Sequence, residues 1–180
     1  MTHTLNYETM ISKKMAEALN EQINAELRSA YLYLAMSLDA DSKSLGGIAN
    51  WFYVQWLEEQ DHARIFQKYM LDQNAMVELK SIGSVPTTWK SPLAMFKDAL
   101  EHEKKVTALI KELVQISFKE YDLETLSRLQ WFIDEQVEEE ASVREQIDAF
   151  SRIEGRPEMV GQLDAHLFSR TYKPATALND

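Results

Sequence analysis

The chain has 180 residues, 45% of them hydrophobic, with no cysteine and a formal charge of −10. This is the length of one domain with a full core, and the apolar content excludes wholesale disorder. The absent thiols exclude disulfide frameworks and thiolate metal sites. The acidity argues against binding to nucleic acid, and 5 Gly with 4 Pro are too few for the turns of a β-sandwich.

The first eight residues, Met1 to Glu8, contain neither a basic region nor an apolar run, so no secretory leader is expected. No window approaches the roughly 18 apolar residues of a membrane span, and a soluble cytoplasmic protein without a membrane partner is the expectation. The first periodic segment runs from about 7 to 38, with Met15, Leu19, Ile23, Ala30 and Tyr33 at helical spacing. The polar cluster Asp39 to Ser44 ends it. The second runs from about 45 to 74 through Ile48, Phe52, Phe66 and Tyr69. Ser91-Pro92 opens the third as N-cap and first helical residue, and it continues through Phe96, Ala99, Val106, Ile110 and Leu113 to about 119. Asp122 caps the fourth, which passes Leu129, Phe132, Val143, Ile147 and Phe150 and stops before Gly155 and Pro157. A short fifth segment spans about 157–168, and the tail 171–180 is expected to fray.

Four helices about 42 Å long describe an all-α four-helix bundle, about 7–153, within a single domain covering 1–180. Short links make helices one and two, and three and four, antiparallel hairpins. Ala75–Lys90 is 16 residues and reaches about 50 Å when extended. Such a crossover makes helices two and three parallel.

Every stripe carries a polar interruption near mid-helix: Glu26 in the first, Gln55, Glu59 and His62 in the second, Glu103 in the third, Gln136 and Glu139 in the fourth. Buried, unpaired carboxylates cost several kcal/mol each (roughly) and repel one another. Few Lys or Arg share these faces, so a metal cation is the expected counter-charge, and oxygen ligands with one imidazole suit iron, manganese or zinc. Glu59-x-x-His62 puts two ligands one turn apart on one face. With Glu from two further helices it gives the donor set of a carboxylate-bridged pair of metal ions. The fourth helix offers Gln136-x-x-Glu139 rather than a second Glu-x-x-His, so one ion is expected to be held better than the other. Loose holding suits an ion that must leave.

Asn24-Ala25-Glu26, Glu58-Glu59-Gln60-Asp61-His62-Ala63, His102-Glu103 and Glu135-Gln136-Val137-Glu138-Glu139 resemble the ferritin family, specifically its prokaryotic non-haem members, over about residues 7–170. The resemblance implies a ferritin-like bundle with a fifth C-terminal helix lining a four-fold axis. It implies oxidation of Fe(II) by dioxygen or peroxide, and storage as a ferric mineral in a hollow homo-oligomeric shell of about 24 subunits (a 24-mer). By position, Glu26, Glu59 and His62 look like ligands of the first iron. Glu59 then bridges to a second held by Glu103, with Gln136 beside it. Glu58, Glu135, Glu138 and Glu139 match an accessory third iron site, Tyr33 a tyrosine beside the centre, and Trp131 a nearby aromatic. Gln60 stands where bacterioferritins have a haem-ligating Met, so no haem is expected.

Plainer readings stand beside these. Glu26 and Glu103 as drifting half-exposed residues, His62 as a hydrogen-bonded core histidine, and the outer glutamates as solvated charge each describe one residue or run. None describes their recurrence at one level. Tyr33 and Trp131 pack among core aromatics under either reading. His102 falls off its stripe, His3 and His166 lack a motif, and the eight Met residues are filler. Asp122 and Glu124 are candidates for an access channel at a three-fold axis. The rival functions are a di-iron enzyme acting on an organic substrate and a metal-free helical assembly module.

Overall fold

The computed structural model describes residues 8–178. His3, the leader reading and the last two residues of the tail lie outside them. Five α-helices follow in order: α1 (Lys13–Ser42), α2 (Gly46–Asp72), α3 (Pro92–Glu120), α4 (Leu123–Arg152) and α5 (Val160–Leu167). Short 3-10 turns occupy Pro157–Met159 and Thr176–Leu178. None of the described helices is long and apolar enough to cross a membrane.

Ser91 and Asp122 cap α3 and α4 as the sequence implies, accepting from Ala94 N and Thr125 N. The ends of α1 differ from the expected ones. Ser12 accepts from Met15 N, so the helix starts several residues later than its apolar pattern suggests. It ends within the Asp39–Ser44 cluster, at Ser42 rather than at 38, because Asp39 is buried and accepts from Lys43 Nζ at 2.6 Å and Trp89 N at 3.1 Å. The chain reverses only at Ser44, whose φ is 59°.

The link from α2 to α3 has no helix of its own and lies along α1. Asn20 donates to Met76 O and accepts from Glu78 N, and Asn24 repeats the pattern with Glu78 O and Lys80 N, at 2.7–3.0 Å. Two asparagines thus satisfy the extended backbone as a neighbouring strand would. Arg28 reaches Gly83 O, and Asp39 holds Trp89. The link therefore climbs from the first half of α1 to its end before α3 begins. α3 runs back beside α1, with Ser12 donating to Glu120 at 2.6 Å, and is thereby parallel to α2.

The core is divided. One apolar cluster joins Met36, Trp51, Phe52, Phe96, Val143 and Phe150; the other joins Leu19, Ile23, Phe66, Leu113, Leu129 and Phe132. Between them lies the polar level foreseen from the interrupted stripes.

α5 docks on the start of α2. Leu45 gives α2 no side-chain cap; instead Asp164 of α5 accepts from Ile48 N at 2.8 Å, serving as cap from a distant element. A Cβ at Gly47 would lie 1.7 Å from Asp164 O, so only glycine permits this approach. Gly47→Ala is expected to displace α5 and cost about 1–3 kcal/mol. The check is a lowered Tm together with faster amide exchange over 160–167; unchanged exchange there contradicts the docking.

As far as residue 178 the tail is held against the bundle rather than frayed. Asn50 donates to Arg170 O at 2.9 Å. Arg170 reaches Trp51 O, Gln55 and Glu58, and Tyr172 OH and Ala175 N both donate to Asp61. Ala177 is buried in the second apolar cluster. The contacts advance along α2, so residues 169–178 form a strap over its length.

Candidate metal centre

Glu26 of α1, Glu59 and His62 of α2, Glu103 of α3, and Gln136 and Glu139 of α4 are all buried. They meet where the two apolar clusters leave a gap. Glu26, Glu59 and His62 present ligand atoms within 4.8 Å of one another, and so do His62, Glu135 and Glu139. His62 bridges the groups: Nδ1 lies 3.5 Å from Glu59 Oε2 and Nε2 3.9 Å from Glu135 Oε1. Its ring is fixed edge-on against Trp131 and Phe132.

Glu26 Oε1 accepts from Gln22 at 2.7 Å, but Glu26 Oε2 and Glu59 Oε2 accept no hydrogen bond. Glu103 accepts from Tyr33 OH and, at 3.3 Å, from Gln136 Nε2, which also meets Thr107 Oγ1 at 3.1 Å. Glu139 accepts from Gln55 Nε2 at 2.8 Å. Among the buried polar side chains described, none is Lys or Arg. Buried carboxylate oxygens that accept no hydrogen bond, with no Lys or Arg beside them, are a standing demand for positive charge.

The titration of these acids reflects that demand. Burial raises Glu59 well above its ordinary value, and Glu103, Glu26 and Glu139 push it further. Burial also raises Glu26, against His62 and the Gln22 hydrogen bond. Glu103 is pushed up to about 8 by burial and by Glu139, against the hydrogen bonds from Tyr33 and Gln136. Burial and the nearby Glu103 and Glu59 hold Tyr33 well above 10.

An acid whose pKa is raised by folding contributes stability that is full below its unfolded value, near 4.5. That contribution is lost as pH rises through the folded value. The metal-free protein is therefore expected to lose Tm between about pH 5 and pH 8. Divalent metal, replacing the protons, should flatten that decline, and a calorimetric series with and without Zn(II) checks both.

The outer glutamates separate. Glu135 is half-buried beside His62. Glu58, raised to about 7 by burial, is engaged by Arg170. Glu138 is exposed and stands outside both ligand groups. The scarcity of Lys and Arg on the four helix faces does not extend to Glu58, because Arg170 reaches it from the strap. His102 turns away, its Nε2 2.7 Å from Ser29 Oγ, and burial lowers it to about 4. Asp122 spends both oxygens on Thr125, while Glu124 and His166 are exposed. Sequence reasoning missed Gln22 and Thr107, whose signal is their spacing of four from Glu26 and Glu103. It also missed Arg170, for which no pattern exists.

The family described as Ferritin-like domain matches residues 16–153. The chain belongs to the ferritin family. It is 42% identical over 144 residues to a bacterial non-heme ferritin of Staphylococcus haemolyticus, covering 80% of this chain and 87% of that one. It is 36% identical over 163 residues to one from Staphylococcus aureus, covering 91% and 98%. Among solved structures, an open pore ferritin from the hyperthermophilic archaeon Archaeoglobus fulgidus superposes with a TM-score of 0.87 at 44% identity, over 89% of this chain and 99% of that one. A closed form of that ferritin, engineered by site-directed mutagenesis, gives 0.89 at 43%, over 91% and 99%. The all-α bundle with a short fifth helix, expected from the periodicity and the resemblance, is thus the fold of this ferritin.

Proposed function

We propose that this ferritin is a ferroxidase and an iron store. It binds two Fe(II) ions as substrate at mid-bundle, oxidises them, and retains the product as a ferric mineral inside a cytoplasmic homo-oligomeric shell of about 24 chains. The observation that carries this reading is the pair of buried oxygens, Glu26 Oε2 and Glu59 Oε2, that accept no hydrogen bond in a cluster without Lys or Arg.

Glu26, Glu59 and His62 hold the first ion. Glu59 reaches toward a second held by Glu103, with Gln136 beside it. The carboxylates favour Fe(III) over Fe(II) because they supply negative charge in a low-dielectric site. Each Fe(II) gives one electron; dioxygen takes both with two protons and leaves as hydrogen peroxide, or hydrogen peroxide takes both with two protons and leaves as water. Tyr33, hydrogen-bonded to Glu103, fixes that ligand beside the second ion. The second position has an amide in place of a second imidazole, so its ion departs more readily. Glu58, Glu135, Glu138 and Glu139 form the acidic way past which a third ion or the product moves. The net charge of −10 suits a container for cations.

The rival reading, an oxygenase of an organic substrate, has one observation in its favour. A cavity of about 230 Å³ between α3 and α4, lined in part by Ile110, Ile133 and Val137, reaches Thr107 and Gln136. Excess Fe(II) added in air to the apoprotein, with no organic compound present, separates the two. Complete oxidation, with ferric iron eluting in a particle of roughly 24 chains, is the result expected of a ferritin store. Oxidation that stops at about two ions per chain in a small oligomer favours the rival.

A further inference from the structure

The strap brings a guanidinium to the outer glutamates. Arg170 Nη2 donates to Glu58 Oε2 at 2.6 Å and to Gln55 Oε1, and Nη1 donates to Trp51 O at 3.2 Å. The guanidinium lies over the Trp51 ring, 4.4 Å from its centroid, a stacking that Arg makes and a compact ammonium does not.

The bond to Gln55 has a consequence deeper in the bundle. Gln55 is wholly buried. With its carbonyl committed to Arg170, its NH2 must face the other way, where it donates to Glu139 Oε2 at 2.8 Å. One guanidinium thus neutralises Glu58 directly and orients the donor on Glu139. Both acids belong to the group proposed above for a third ion, and Glu139 shares a ligand cluster with His62 and Glu135. The strap is itself pinned one turn further along, by Tyr172 and Ala175 on Asp61.

We propose that Arg170 is the resident cation of this outer group, and that a third divalent ion binds Glu58 and Glu139 by displacing it. The proposal rests on the ferroxidase reading of the inner centre. Arg170 does not touch the inner pair of ions; it sets how strongly the outer position competes for the next one. Metal arriving at Glu58 must break the guanidinium contact and release Gln55. Conversely, an anchored strap keeps the outer position open to passage.

Calorimetric titration of the assembled apoprotein with Zn(II) tests this. Wild type, Arg170→Gln and Arg170→Lys are all expected to bind two ions at the inner centre. Arg170→Gln should bind a third at least about tenfold more tightly than wild type. Arg170→Lys, which keeps the charge, should stay near wild type. A third step that is absent or unchanged in Arg170→Gln overturns the proposal while leaving the inner centre intact. Absence of the first two steps in wild type overturns the ferroxidase reading and the proposal with it. If Arg170→Gln does not assemble, Tyr172→Phe loosens the strap by removing its bond to Asp61, leaves Glu58 and Glu139 in place and should tighten the third step several-fold; an unchanged third step in that variant overturns the proposal. A crystal structure of the Zn(II)-loaded wild type is an independent check: a third ion on Glu58 with Arg170 still bonded to it is incompatible with displacement.

Discussion

Glu59→Gln should raise the Tm of the metal-free protein while abolishing both its stabilisation by divalent metal and its fast oxidation of Fe(II). The two effects have one cause. Glu59 is buried, its Oε2 accepts no hydrogen bond, and three other glutamates raise its pKa beyond what burial does. Without metal it is a local defect. Replacing it by an amide of the same shape removes a buried acid and relieves its neighbours, a gain of about 1 kcal/mol or more, or a few degrees of Tm at about this chain length. With metal, the same replacement removes the ligand proposed to serve both ions. Loss of a partner merely supporting a ligand costs about 10–100-fold in affinity or activity, so loss of this one should cost at least about 100-fold in rate. Thermal melts with and without Zn(II), beside stopped-flow Fe(II) oxidation, give the three readings. A variant whose metal-free Tm falls and whose Zn(II) response survives would place the metal elsewhere.

His62→Ala is expected to move metal-free stability the other way. The imidazole packs edge-on against Trp131 and Phe132, with ring centroids 5.5 and 6.0 Å away, so its removal leaves a cavity and costs about 1–3 kcal/mol. Yet Fe(II) oxidation should fall by at least about 100-fold, as in Glu59→Gln, because the one imidazole among the proposed ligands is gone. Opposite signs in metal-free Tm and the same sign in activity are a signature that general misfolding does not produce. A His62→Ala protein that oxidises iron at the parent rate would leave His62 a packing residue beside a site built of carboxylates alone.

The bundle was legible because its helices are long enough for periodicity to dominate: Leu19, Ile23, Ala30 and Tyr33, or Val106, Ile110 and Leu113, admit one reading. The level of the centre was legible for a related reason. A polar residue on an apolar stripe is costly, and four stripes interrupted at mid-helix define a plane. The length of the α2–α3 link implied parallel helices, but not the asparagines that hold the link on α1. Boundaries were less legible where a side chain changes role. Asp39 reads as a helix breaker in sequence, yet it is buried because Lys43 and the Trp89 backbone amide satisfy it. The strap was not legible at all. Residues 169–178 have no period, and hydrogen bonds to Asn50, Glu58 and Asp61 from more than a hundred residues away leave no local trace.

Locating iron in the crystal tests the account most directly. Crystals of the apoprotein loaded anaerobically with Fe(II) should give anomalous difference density for two ions at mid-bundle, one within reach of Glu26, Glu59 and His62 and the other between Glu59 and Glu103. Iron found only on exposed acids, with Glu26 and Glu59 unmoved and unligated, would contradict the assignment of this buried cluster as the place where a ferritin of this sequence oxidises its substrate.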